Sequence, residues 1–393
     1  MNARFKTVYV GITDPDPTVD GKGIKHLEDN GIKVTMFDRD LQKIIEDENR
    51  EFRRQAKQRN NQAKQQEQAT ELEKPLAAAD YSKFSEEALQ KFVAEAGLDV
   101  EPDSKDFQSF LADIGAMKFD ENVNVYRPTG IGILLFGDNP RAKFPNASLK
   151  AFVEYGGNRT EARSFDQPIV LIPDSVEEWL NKVLPLSKDT SSFKRKDIPA
   201  FPIAVLREAI INAIVHRDYK ISGAKSSLEI DDDKIVVKSP GAPLPSISLE
   251  QLNTFSAPSI SRNPIITYIF NLMGYVEETG FGMKTIKSLN NDFGLPLPEY
   301  AFQEPFLALT FPRTMEAVKR VSNHPGLAHL NDEELAGYEF IKLMGTVTRK
   351  QYQDELKIDS DKKAERHLRK MVDLKLIARV GSARSVRYEI IPT

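Results

Sequence analysis

REAIINAIVHRDY, residues 207–219, sets Glu208, Asn212 and His216 four residues apart in an otherwise mostly apolar run. A helix advances about 100° per residue, so side chains at that spacing drift by only about 40° per step and share one side. The pattern predicts a helix over 201–216, with Pro202 tolerated in its first turn and Val205, Ala209, Ile210, Ala213 and Ile214 supplying an apolar side. A carboxylate, an amide and an imidazole stacked along such a helix fit two readings. In one they form a solvated stripe, with His216 capping the end and Arg217 favourable at the C-terminus. In the other they line one wall of a cavity.

The downstream sequence favours the cavity. SLEIDDDKIVVKSPGAPLP, residues 227–245, reads as strand, aspartate turn, strand and a sharp turn at Pro240 and Gly241. RNPIITYIFNLMGYVEETGFGMKTIKSL, residues 262–289, gives a helix from Pro264 and then a Gly280, Phe281, Gly282 turn entering another helix. A glycine turn at a helix N-terminus offers free backbone N–H groups to an anion, a common way of holding phosphate. A helix wall bearing an acid and an amide, facing that turn, suits a magnesium-bound triphosphate.

In this order the motifs resemble the ATP-binding domain of the gyrase, Hsp90, histidine kinase and MutL (GHKL) superfamily, in the version carried by RecG-related and Schlafen-like AlbA proteins. The matching residues are Glu208, Asn212, Ala213, His216, Arg217, Asp218 and Tyr219; Ser239, Pro240, Gly241, Leu244 and Pro245; Arg262, Asn263 and Pro264; and Glu277, Gly280 and Gly282. The likeness spans about residues 100–312 and implies a Bergerat-type α/β sandwich that binds ATP with magnesium. On that likeness Asn212 would coordinate the metal and Glu208 would act as the catalytic residue that orients or activates water. Thr279, Gly280 and Gly282 would supply phosphate-binding backbone, and Gly241 would lie beneath the adenine. Arg262 and Asn263 would lie in or beside a nucleotide lid, and His216, Arg217 and Asp218 would join a network at the helix end. Ser239 stands where the wider superfamily carries an adenine-recognising aspartate, which leaves a different nucleotide or a purely architectural use of the fold open. The family's AlbA module is not recognisable, and no P-loop is present to drive a helicase motor.

At 393 residues the chain has room for two or three domains, and 40% hydrophobic with 28% charged residues is the composition of a soluble globular protein. A cytoplasmic protein is expected, because the N-terminus lacks a signal-peptide pattern. Without cysteine there are no disulfides, thiolates or cysteine-zinc sites, and five scattered histidines give little for an all-histidine metal site. The formal net charge of −4 leaves room for one local basic surface.

By pattern the chain divides into a partial α/β segment (1–52), a polar helical linker (53–78), an intermediate α/β region (79–200), the ATP-binding domain (201–312), a second linker (313–330) and a C-terminal winged helix-turn-helix (331–393). The expected fold class is α/β and α+β multidomain. The first segment reads strand, turn-rich loop, helix, strand. It resembles the C-terminal half of riboflavin-pathway cytidine deaminase-like domains through Asp14, Pro15, Asp16, Pro17, Gly21, Gly23, Gly31, Ile32 and Val34. That family's zinc-binding motifs have no counterpart here, so deamination is not expected. In the intermediate region ILLF (133–136) and LKAFVEY (149–155) read as strands, and Asp174 reads as the cap of a following helix. The glycines of TGIGILLFG fit close packing better than phosphate binding.

The C-terminal pattern is three helices and a hairpin. Residues 346–393 hold twelve Lys or Arg against seven Asp or Glu, so a basic surface gathers there despite the acidic chain. Lys362, Lys363, Arg366, Arg369 and Lys370 belong to the third helix, and Arg384 and Arg387 to the wing, an arrangement that fits double-stranded DNA. The same charges fit the solvated face of a protein-binding winged helix. The expectation is an ATP- and DNA-binding regulator. The alternatives are an ATPase acting on or with nucleic acid and a scaffold with a degenerate nucleotide site. A homodimer follows only by analogy with both fold types.

Overall fold

The computed structural model of the chain describes residues 6–11, 22–48, 72–120, 123–189, 196–276, 281–322, 324–382 and 385–391. It forms two compact units, Met1–Lys74 and Pro75–Thr393. In the first, β1 (Thr7–Val10) pairs in parallel with β2 (Lys33–Met36) across helix α1 (Lys22–Asp29), and α2 (Arg39–Glu48) follows. This is the strand, helix, strand order expected from the sequence. Asp14 to Gly21 and the polar stretch 49–71 lie outside the described residues.

The second unit opens with α3 (Glu86–Glu95) and α4 (Lys105–Asp113), whose first turns are capped by Ser85 and Ser104. The hairpin of β3 (Met117–Asp120) and β4 (Val125–Pro128) leads into α5 (Gly130–Phe136). Here the structure corrects the expectation of a strand at ILLF. A short, wholly apolar run has no period that separates a buried helix from a buried strand. The local chemistry decides for helix: Thr129 Oγ1 accepts the Gly132 N–H at 3.1 Å and donates to the Gly115 carbonyl at 2.9 Å. A Cβ on Gly132 would lie 2.0 Å from the Ala116 carbonyl oxygen, so this glycine permits close backbone packing.

Next come β5 (Leu149–Tyr155), β6 (Asn158–Phe165), α6 (Ile172–Val183), the pair β7 (Leu186–Asp189) and β8 (Lys196–Pro199), and α7 (Ile203–Val215). They are followed by β9 (Ser226–Asp231), β10 (Lys234–Pro240), α8 (Leu249–Asn253), α9 (Pro264–Leu272), α10 (Phe281–Phe293), β11 (Glu299–Gln303) and β12 (Phe306–Pro312). Six strands make one mixed sheet in the order β11-β12-β10-β9-β5-β6, antiparallel throughout except for the parallel β5–β9 pair. The boundary expected at residue 200 therefore cuts through a sheet. Alternate residues of β5 and β9, including Leu149, Ala151, Val153, Leu228 and Ile230, bury one face. Asp174 does not cap α6, whose N-cap is Leu171 with no side-chain bond; it pairs instead with Lys91 and accepts from Tyr275.

The C-terminal part comprises α11 (Met315–Val321), α12 (Asp332–Met344), β13 (Thr346–Val347), α13 (Arg349–Glu355), α14 (Asp361–Asp373), β14 (Ile377–Val380) and β15 (Arg387–Ile390). Its three strands form an antiparallel sheet in the order β13-β15-β14. Residues 313–330, expected to be a linker, are structured instead: Thr314 caps α11, and Val318 and Leu327 join the apolar core of Leu335, Ile341, Leu368 and Met371. Burial of these two side chains fixes the segment. Among the described residues no helix is long and apolar enough to cross a membrane.

Candidate functional site

Helix α7 is buried nearly all round, through Val205, Leu206, Ala209, Ile210, Ile211, Ala213, Ile214 and Val215. Glu208, Asn212 and His216 form the stripe that opens onto a cleft of about 530 Å³. That volume lies within the range of small-molecule sites. The lining also includes the apolar Leu244, Ile247, Leu252, Pro258, Leu307 and Leu309.

Within the cleft lining Asn212 Nδ2 donates to Glu208 Oε1 at 2.8 Å. One of the amide's two N–H groups is thereby committed to the carboxylate, and Oδ1 is its acceptor. Gly282, in the first turn of the 13-residue helix α10, packs onto the same carboxylate, and a Cβ there would lie 1.9 Å from Glu208 Oε1. The helix N-terminus, the carboxylate and the amide are thus brought together. Tyr300 of β11 also lines the cleft; burial and then the Glu208 charge raise its phenol pKa. No sequence motif flags Tyr300, because a lone tyrosine in a strand reads as ordinary core. Glu277, Thr279 and Gly280 lie outside the described residues.

Ser239 donates its hydroxyl to the Ala213 carbonyl at 2.7 Å and also lines the cleft. With its proton committed, the oxygen can only accept from a ligand. Gly241 has φ +126°, and a Cβ there would stand 2.9 Å from Cβ of Asp218, so both conformation and space require glycine at this turn. The turn is tied down on both sides: the Asp218 N–H donates to Pro240 O and the Gly241 N–H to Pro305 O, each at 2.8 Å.

The residues after α7 form a hydrogen-bonded network at the helix end. Arg262 pairs with Asp218 at 3.1 Å and donates to the Ala242 carbonyl at 2.6 Å. Asn263 Nδ2 donates to Val215 O and Arg217 O, both at 2.8 Å, and so satisfies carbonyls freed at the helix end. Arg262 lines the cleft, whereas Asn263 is spent behind it on this cap. Buried Arg217 donates to the carbonyls of Asn146 and Ala224, each at 3.0 Å. His216 is the C-cap of α7, open to the cleft's solvent yet densely surrounded by protein. That desolvation, followed by the Arg262 charge, lowers its pKa to about 4, so the ring is neutral at pH 7.

On the C-terminal unit the basic side chains separate into two sets. Lys363 pairs with Glu333 at 2.6 Å and Lys370 with Glu334 at 2.5 Å, both acids being in the first turn of α12. Lys362, Arg366 and Arg369 are exposed at i, i+4 and i+7 on one face of α14, with no ion pair among the described residues, and Arg387 is exposed on β15. Arg384 lies outside the described residues. Two of the cations expected to face a duplex are therefore engaged internally.

No curated protein matches the sequence at a significant level. Among solved structures the chain is similar in fold to the DIP2311 protein from Corynebacterium diphtheriae, with TM-score 0.52 and 18% identity over 81% of this chain. The chain spans only 64% of that structure's length. Residues 223–311 match the family described as "Putative ATP-dependent DNA helicase recG C-terminal", an ATPase-like domain family; the matched stretch contains β9 to β12, Ser239, Gly241, Arg262 and Gly282, and the Glu208–Asn212 helix lies upstream of it.

Proposed function

We propose that this chain is an ATP-binding, DNA-binding regulator, in which magnesium-ATP occupies the α7 cleft and the C-terminal unit acts as a winged helix on double-stranded DNA. The observation that carries the nucleotide reading is the bond from Asn212 to Glu208 directly beneath Gly282 at the start of α10. Helix N-termini attract phosphate, and the cleft places one beside a carboxylate and an amide oxygen.

The donor set fits magnesium, a hard cation that takes oxygen ligands and usually relies on few protein groups plus substrate phosphates. Asn212 Oδ1 would hold it; when bound it would neutralise charge on the phosphates. At the base end, Ser239, whose proton is spent on the Ala213 carbonyl, can accept from a purine 6-amino group and opposes a 6-oxo group at the same position. Neutral His216 leaves that end free of added positive charge.

The DNA reading rests on Lys362, Arg366 and Arg369 along one helix face with Arg387 on the adjoining hairpin. Such charge neutralises phosphates across two elements at once. The likeness of residues 6–52 to deaminase-like domains adds no catalytic centre to this proposal.

A second reading, slow ATP hydrolysis as the main output, is favoured by one observation: Glu208 is held within the cleft, where a carboxylate could take a proton from water. Calorimetric titration of the full chain with magnesium-ATP tests the first reading. Wild type should bind and Asn212→Ala should lose most of that affinity; a folded wild type that binds no nucleotide overturns both readings. Turnover that survives Glu208→Gln unchanged would remove the hydrolytic one.

A further inference from the structure

The cleft and the C-terminal unit are joined by a specific buried contact. Helix α10 starts at the Glu208 carboxylate and ends at Gly294, and the chain then runs through Pro296, Leu297 and Pro298 into β11. Prolines on both sides hold Leu297 in a restricted, extended backbone and contribute no N–H of their own. The Leu297 N–H is thus the sole backbone donor of a buried tripeptide. It donates to Glu339 Oε2 at 2.8 Å, and the Leu297 carbonyl accepts from Lys342 Nζ at 3.2 Å. Both partners belong to α12.

Glu339 is 1% exposed, an unusual place for a carboxylate, and its Oε1 has no hydrogen-bond partner among the described residues. Burying a carboxylate costs free energy that a single backbone bond does not offset. The contact is therefore poorly explained as a stability device. The opposite side of the same helix carries Glu333 and Glu334, which hold Lys363 and Lys370 of α14. One rigid helix grips the segment after the cleft's helix with one side and the basic helix with the other.

We infer that α12 is a lever by which nucleotide in the α7 cleft regulates the basic face of α14, with the Glu339–Leu297–Lys342 clamp as its linkage. The inference rests on the ATP- and DNA-binding reading above. Displacement of α10 by bound phosphates moves the stiff Pro296–Pro298 segment, the clamp passes the movement to α12, and the two acid-lysine pairs pass it to α14. The coupling has to be reciprocal, so DNA on α14 changes nucleotide affinity by the same factor.

The test uses the full chain, a generic duplex and magnesium-ATP, comparing wild type with Glu339→Ala and, as a variant that keeps the Leu297 N–H bond, Lys342→Met. Circular dichroism verifies folding, and calorimetry verifies nucleotide binding. Magnesium-ATP should shift the wild-type duplex dissociation constant about 5-fold or more, a typical coupling, and by less than about 2-fold in the folded variants, with their nucleotide affinity retained. Amide hydrogen exchange provides a readout independent of DNA. Nucleotide should change exchange in both 281–297 and 361–373 in wild type, and only in 281–297 in the variants. Equal responses in wild type and variants, or no wild-type response in 361–373, overturn the lever. Absence of nucleotide binding by folded wild type overturns the underlying reading and the lever with it.

Discussion

Gly282 and Glu208 are so close that a Cβ on the glycine would lie 1.9 Å from the carboxylate's Oε1. The first turn of α10 and the polar stripe of α7 consequently share one position, and no side chain fits at 282 unless Glu208 moves. Gly282→Ala should displace the carboxylate, break its bond with Asn212 and weaken magnesium-ATP binding by at least about tenfold, the equivalent of about 1.4 kcal/mol. The obstacle is the end of a flexible side chain, which can swing away, and alanine is the better helix former, so global stability should change little. Calorimetry and a denaturant titration of the same variant separate the two effects.

His216 makes stability depend on pH in a defined direction. Its folded pKa, about 4, lies below the ordinary 6.5, so between those values the unfolded chain binds the extra proton. The contribution of the neutral folded ring is fully present above pH 6.5 and is lost as pH falls toward 4. The urea midpoint should therefore decline across that window, and His216→Gln should show a shallower decline over the same range. Identical profiles for the two proteins would rule out this assignment.

The two sets of lysines and arginines on α14 should behave differently. Lys362, Arg366 and Arg369 are exposed and without an ion pair among the described residues, so each alanine substitution should lower the slope of log K against log salt by about 0.9 for every phosphate that the side chain neutralises in wild type. Lys363 and Lys370 are engaged by Glu333 and Glu334. Substituting either should leave the slope of the nucleotide-free protein nearly unchanged. A fluorescence-anisotropy series from low to moderate salt measures both.

Gly337 on α12 faces the buried phenol of Tyr352, where a Cβ would lie 2.1 Å from its oxygen and 2.5 Å from the ring. The obstacle is a buried ring that also packs edge-on against His367. Gly337→Ala should destabilise the C-terminal unit by about 1–3 kcal/mol, visible as an earlier transition in denaturant. Nucleotide affinity at the cleft, whose lining includes neither Gly337 nor Tyr352, should stay close to wild type.

The stripe on α7, the turn at Gly241 and a helix near Gly282 are legible from residue spacing, because helix periodicity and glycine turns are local properties of the chain, although Phe281 and Gly282 lie in the first turn of α10 rather than in a turn before it. So are the three helices and hairpin of the C-terminal unit. ILLF reads as a strand but folds as a helix, because a uniformly apolar stretch carries no period, and Thr129, whose cap settles the matter, acts through carbonyls brought in by another element. The segment 313–330 reads as a linker but folds into the core for a related reason: its polar composition conceals Val318 and Leu327, which become core only when α12 folds beside them.

Sequence by itself determined which residues line α7 and which loops carry glycine, because those depend on neighbours three or four positions away. Only tertiary structure decided which groups are spent and which remain available. Asn263 is used behind the cleft rather than within it, Asp174 holds Tyr275 rather than a helix end, and Lys363 and Lys370 are held by α12 while Lys362, Arg366 and Arg369 are exposed. Charge and hydrogen-bonding capacity are composition, but their partners come from segments tens of residues apart, and folding alone brings those partners within the few ångströms over which such bonds act.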